Sequence, residues 1–119
     1  MDTPIIKRQE FRFPRINPIT LDQKFTRELI AKRILIREVH GYGGSCTNFD
    51  VEIYDREDYS PIAKIYQWDN ANVEFHDVLM QGAFYCEPDR HRLFFKIDNN
   101  DDTNPLDLIL RIVYQVLEE

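Results

Sequence analysis

ILIREVHGYGGSCTNFDVEIY, residues Ile34 to Tyr54, carries the clearest fold signal in the chain. Two apolar, β-branched runs, Ile34–Val39 and Phe49–Tyr54, flank a cluster of glycines. Gly41, Gly43 and Gly44 are three of the four glycines in the chain. Glycine takes positive φ without a Cβ clash, so the backbone turns most sharply here. In the second run Phe49, Val51 and Ile53 alternate with Asp50, Glu52 and Tyr54, the period of a half-buried strand. The stretch therefore predicts two strands joined by a Gly-rich loop, either a hairpin or a cross-sheet connection.

Working outward, the C-terminal side continues the pattern. Ile62–Trp68, Val73–Leu79, Ala83–Cys86 and Leu93–Ile97 read as strands. Turn chemistry separates them at 55–61, 69–72, 81–82 and 87–90. Leu106–Leu117 fits either a strand or a helix. Its Ile112-Val113-Tyr114-Gln115-Val116 composition favours a strand, central or covered because both faces are apolar. On the N-terminal side, Leu21, Phe25 and Leu29 recur at i, i+4, i+8 and allow helical turns, with a strand preferred from Leu29 onward. Residues 1–20 carry Pro4, Pro14 and Pro18 and no helical period. Their Ile5, Ile6, Phe11, Phe13, Ile16 and Ile19 require burial, on a neighbouring molecule as an extended arm or on the chain's own domain as an edge strand. The prediction is an all-β, jelly-roll-like β-sandwich of about 7–8 antiparallel strands over residues 21–119, with an extended N-terminal arm over residues 1–20.

Composition bounds the function. The 119 residues are one domain by length. Fifteen basic against 21 acidic residues, net −6, oppose a nucleic-acid binder that relies on a basic face. The charge is polar along the chain: residues 1–40 hold nine basic and five acidic side chains, and the rest hold six and sixteen. Such polarity can orient subunits head to tail, or can simply be solvated. Cys46 and Cys86 form no disulfide framework, and two reduced thiols are the default. Without an N-terminal apolar leader or an apolar run of ~20 residues, folding in a cytosol and no membrane span are expected.

No catalytic constellation emerges. His40-Gly41-Tyr42-Gly43-Gly44-Ser45 lacks the lysine of a phosphate loop and the third glycine of a dinucleotide fingerprint. Ser45 does not sit in G-x-S-x-G. A hydrolase needs Cys46 or Ser45 to meet one of His40, His76 and His91 in space. Glu74 and His76 share a strand face, a spacing that a metal uses only with a second matched pair. Asp98, Asn100 and Asp102 occupy positions 1, 3 and 5 of a calcium loop, but Thr103 and Ile109 stand where its glycine and glutamate belong. Tyr54, Tyr59, Tyr66 and Trp68 suggest a sugar platform, with Tyr66 and Trp68 the candidate stacking pair. No cofactor is expected.

The run of a strand, the loop at 40–45, Phe49-Asp50-Val51-Glu52-Ile53-Tyr54-Asp55, Leu93–Asn100 and Leu110–Val116 resembles the small β-sandwich proteins of tailed-phage virions. These are capsid decoration (cement) proteins and accessory modules of tails and fibres. The resemblance implies a non-enzymatic structural protein made in the host cytoplasm and carried in the virion. It implies many copies, self-association, and capsid or tail proteins as partners. The proline-bearing arm is similar to arms by which cement proteins hold neighbouring capsomers. The expected partner-binding residues are Ile5, Ile6, Phe11, Phe13 and Ile16, with Tyr42 at the loop tip. A tail or fibre accessory module, or a carbohydrate-binding module for host attachment, is the alternative.

Overall fold

The computed structural model describes residues 4–79, 84–86 and 91–119. Its strands are β1 (Ile5–Arg12), β2 (Thr20–Glu28), β3 (Arg33–Tyr42), β4 (Phe49–Tyr54), β5 (Lys64–Ala71), β6 (Glu74–Val78), β7 (Phe84–Cys86), β8 (Arg92–Asn99) and β9 (Ile109–Glu118). A single 3-10 turn, Pro61–Ala63, precedes β5, where the sequence predicted strand from Ile62. The expected breaks at 81–82 and 87–90 lie outside the described residues.

Two antiparallel sheets face each other. Sheet I has the order β1-β9-β3-β6, and β7 pairs with β3 beside β6. Sheet II has the order β2-β8-β4-β5. Successive strands change sheet except at β4–β5 and β6–β7. Setting β7 aside, this is the strand order of a jelly roll, two interlocked Greek keys. The β-sandwich expectation holds, and the C-terminal segment is indeed the strand β9, central between β1 and β3.

The core lies between the sheets. Phe11, Ile34, Ile36, Phe49, Val51, Ile53, Leu93, Phe95, Ile97, Leu110 and Ile112 are all buried there. Each large apolar side chain contributes about 1.5–3 kcal/mol on burial. That term decides the fate of the N-terminal segment. The extended arm over residues 1–20 is corrected here: residues 5–12 are the edge strand of sheet I, paired along their length with β9. Beyond β1, Phe13 N–H donates to Leu108 O and Ile16 bridges Leu106. The Phe11 and Phe13 rings each lie 5.2 Å from Phe95. The helical option at 21–29 is also replaced, by strand β2 pairing with β8.

The opening stretch is a corner. β3 belongs to sheet I and β4 to sheet II, so the glycine loop crosses between the sheets. Only Gly44 uses the left-handed region, at φ 65°. Gly41 and Gly43 are needed for close approach: a Cβ at Gly41 would run into the Phe75 ring, and one at Gly43 into Phe49.

Candidate functional site

The outer face of sheet I is the most chemically organised surface among the described residues. Strand pairing builds it. On β3, Glu38, His40 and Tyr42 point outward. Their neighbours on β9 are Val113, Arg111 and Ile109, and on β6 they are Val78, His76 and Glu74. β1 adds Arg8 opposite Val113 and Glu10 opposite Arg111. The His40 and His76 rings stack at 4.9 Å between centroids. Each ring donates from Nε2 to a carboxylate: His40 to Glu74 at 3.2 Å, His76 to Glu38 at 2.8 Å. Arg111 donates to Glu10 at 3.3 Å.

Two shallow cavities of about 200 Å³ each open on this face. One is lined by Glu10, His40, Tyr42, Ile109 and Arg111, the other by Arg8, Glu38, His40, His76, Arg111 and Val113. They share His40 and Arg111 and so form one groove. Both parts open to solvent across the sheet face, so the groove is better suited to contact than to enclosure. Tyr42, half exposed, stands at its end.

The opposite outer face, that of sheet II, is partly covered by the chain itself. The β4–β5 loop folds back so that Tyr59 meets Tyr54 at 5.0 Å and Phe94 at 6.2 Å. Tyr54, Ala63 and Phe94 are buried as a satellite cluster with Tyr59 packed against it. Lys24 sits 4.9 Å over the Tyr59 ring and Arg92 5.3 Å over Phe94. Burial, and then the hydrogen bond that Tyr54 donates to Glu52, push the Tyr54 hydroxyl well above its usual range.

No family model matches this chain, and no curated protein matches it. Solved structures it is similar to come from distant sources. The tomato aspermy virus structure has 10% identity, covers 92% of this chain and 76% of that one, and gives a TM-score of 0.43. PliG from Aeromonas hydrophila, a periplasmic inhibitor of g-type lysozyme, has 10% identity, coverage of 94% and 86%, and a TM-score of 0.40. The infectious bursal disease virus structure has 9% identity, coverage of 97% and 32%, and a TM-score of 0.38. Likeness this low assigns no residue a role, and the site is read from its own chemistry.

The structure redistributes the residues singled out from sequence. Phe11, Phe13 and Ile16 are buried in the chain's own core, which removes them from any partner surface. Ile5 and Ile6 remain half exposed at the start of β1, as does Tyr42 on the groove. The Tyr66–Trp68 platform is not formed. Tyr66 is 2% exposed, and both rings stack on Phe75 between the sheets, Trp68 at 4.9 Å and Tyr66 at 6.4 Å. Tyr66 donates to Asp77 at 3.0 Å, tying β5 of sheet II to β6 of sheet I. Burial, with Asp77 second, raises its hydroxyl far above the ordinary value.

Cys46 is a free, buried thiol that donates to Asn99 Oδ1 at 3.2 Å. Burial pushes its pKa up, the reverse of what a nucleophile needs. The Cys86 side chain lies outside the described residues. Glu74 and His76 do share a face, but each takes a partner from β3. Among the described residues no group of three or more His, Cys, Asp or Glu side chains is arranged to hold a metal ion.

The 98–102 run is a staple. Asp101, which the calcium pattern skips, accepts from the Thr47 N–H at 2.8 Å, the Thr103 N–H at 2.9 Å and the Asn104 N–H at 3.1 Å. These donors hold its carboxyl far below the usual range. Asn99, fully buried, donates to Ile16 O at 3.0 Å and Asn104 O at 3.1 Å. Together they lock the glycine corner to the loops after β1 and β8.

Sequence reasoning missed the groove. Its residues come from four strands separated by up to 105 positions, Arg8 to Val113, and only the ladder register brings them to one face. The legible trace was the Glu74–His76 spacing, which needed the equally alternating Glu38–His40 beside it.

Proposed function

We propose that this chain is a structural protein of a virus particle, a decoration subunit that binds the particle lattice through the outer face of sheet I. The carrying observation is the difference between the two outer faces of one jelly roll. Sheet II buries Tyr54 and Phe94 under its own loop. Sheet I leaves a ridged polar face open, with Ile6, Tyr42, Val78 and Leu117 exposed around the ionic rows. Exposed aromatic and apolar side chains set among paired charges are the composition of a protein contact. The jelly roll is a common frame of capsid and lectin domains, and the fold alone does not choose between them.

The test is direct. Mass spectrometry of purified particles should find the chain as a multi-copy component, and a Tyr42→Ala/Arg111→Ala chain should fold but fail to be incorporated. Absence from particles overturns the proposal. Incorporation at the tail alone, seen by particle imaging, would replace the capsid site with a tail or fibre role.

A second reading has one specific observation behind it. Tyr42 stands beside Arg111, Glu10 and His40 in the groove, an aromatic face next to planar polar groups, as sugar sites have. It moves the glycan hypothesis from Tyr66 and Trp68 to Tyr42. A glycan array that binds the intact chain and loses signal with Tyr42→Ala supports it; a blank array removes it.

A further inference from the structure

We infer that copies of this chain associate head to tail, the β1–β2 edge of one sandwich against the β5–β6 edge of the next. The inference deepens the lattice reading above by naming the lateral partner, a second copy.

The fold turns the charge polarity of the sequence into a spatial one. β1 and β2 lie together on one side: Gln9 donates to Glu28 O at 2.7 Å, Arg27 donates to Arg12 O at 3.1 Å, and Phe13 meets Phe25 at 5.2 Å. β5 and β6 lie together on the other, joined by the Tyr66–Asp77 bond and the Trp68–Phe75 stack. β1 and β6 are the two ends of sheet I, and β2 and β5 the two ends of sheet II. The first edge displays Lys7, Arg8 and Arg12 against Glu10 on β1, which is therefore net basic, while on β2 Lys24 and Arg27 are balanced by Asp22 and Glu28. The Lys7 and Arg8 backbones are paired with β9, but their side chains make no hydrogen bond or ion pair with any described residue. The second edge carries the exposed Asp69 and Glu74 and the partly buried Asp77, which is bonded to Tyr66, with Lys64 the one Lys or Arg on those two strands. Apolar ends are available on both: Ile5 and Ile6 start β1, and Val78 ends β6, each about half exposed.

Charge on an edge strand normally blocks pairing with another edge. Here it blocks only like with like. Two β1 edges repel each other, and a β1 edge meeting a β5–β6 edge is attracted. The contact is heterologous, so it propagates into a ring or an open row, not a two-fold dimer. Exposed ion pairs are individually weak and screened by salt. Association of free chains is therefore salt-sensitive, and simultaneous attachment to a particle strengthens it by raising effective concentration.

Sedimentation velocity tests this. At low ionic strength the weight-average sedimentation coefficient of the intact chain should rise with concentration, and high salt should return it to the monomer value. Lys7→Glu/Arg8→Glu and Asp69→Lys/Glu74→Lys chains, each with an unchanged circular dichroism spectrum, should each stay monomeric. Mixed together they should associate again, because one now has two acidic edges and the other two basic ones. A monomer at every concentration in low salt, association that survives both reversals, or no recovery on mixing overturns the inference. Particle binding by a chain that stays monomeric would sink this inference and leave the particle role standing; self-association by a chain absent from particles would do the opposite.

Discussion

Sheets I and II share one core and differ in what they do with their outer faces. Sheet II turns Tyr54 and Phe94 outward and then covers them with the β4–β5 loop. Its outer aromatic surface is thereby spent on stability. Sheet I turns Glu38, His40, Tyr42 and Arg111 outward and leaves them open. Its pairs, such as Arg111–Glu10 and His76–Glu38, lie in water-exposed settings where each is worth roughly 0–1 kcal/mol. A face that stabilises so little while ordering so many polar groups is available for a partner. The lesson is that two sheets of near-equal size can divide labour, one closing the fold and the other presenting it.

The largest effect probes the frame both faces rest on. Deleting residues 1–20 removes β1 with Phe11, Phe13 and Ile16. At roughly 1.5–3 kcal/mol per buried side chain, the loss is comparable to the ~5–15 kcal/mol margin of a whole domain. The truncated chain should show no cooperative thermal unfolding. A truncated chain that keeps the intact melting curve would return these residues to the role of a free arm.

Phe94→Ala comes next. It strips the covered face, and chemical denaturation should report a loss of about 3–5 kcal/mol, the usual cost of a buried phenylalanine. A loss under about 0.5 kcal/mol would mean that the β4–β5 loop does not cover sheet II.

Acid titration separates the staple from both faces. The folded-state carboxyl of Asp101 is depressed, so its stabilisation is complete above the unfolded carboxylate value of about 4. It is lost as pH falls below that value, through the lower folded one. The intact chain should lose stability steadily on acidification below about pH 4, whereas Asp101→Asn should start less stable at neutral pH and fall less. Parallel curves for the two chains would contradict the assignment.

The smallest effect is expected on the open face. Tyr42→Ala should change stability by no more than about 0.5 kcal/mol, as exposed positions do. A loss as large as that of Phe94→Ala would erase the distinction between the faces.

Much of the frame was legible. Alternation at 49–54 placed Phe49, Val51 and Ile53 inward, and the β-branched run at 112–116 gave the central strand. What alternation does not report is which strand a strand lies beside. For that reason Phe11 and Phe13 read equally well as an arm. Tyr66 and Trp68 read as a platform although they face Phe75 across the sandwich. The groove was unreadable for the same reason: Glu10, His40, His76 and Arg111 become neighbours only through three ladders. Asp101 was hidden differently, because the calcium pattern drew attention to its outward neighbours, and the inward carboxylate holds the corner.

A lattice bound through the open face of sheet I would shield that face and leave the sheet II side as it is. Hydroxyl-radical footprinting of the free chain and of the chain in intact particles measures this residue by residue. Strong protection of Tyr42, His40, His76 and Leu117 in particles is expected, with unchanged oxidation of Ile62, exposed at the foot of the sheet II loop. Protection of Ile62, with Tyr42 and the histidines as reactive as in the free chain, would contradict it.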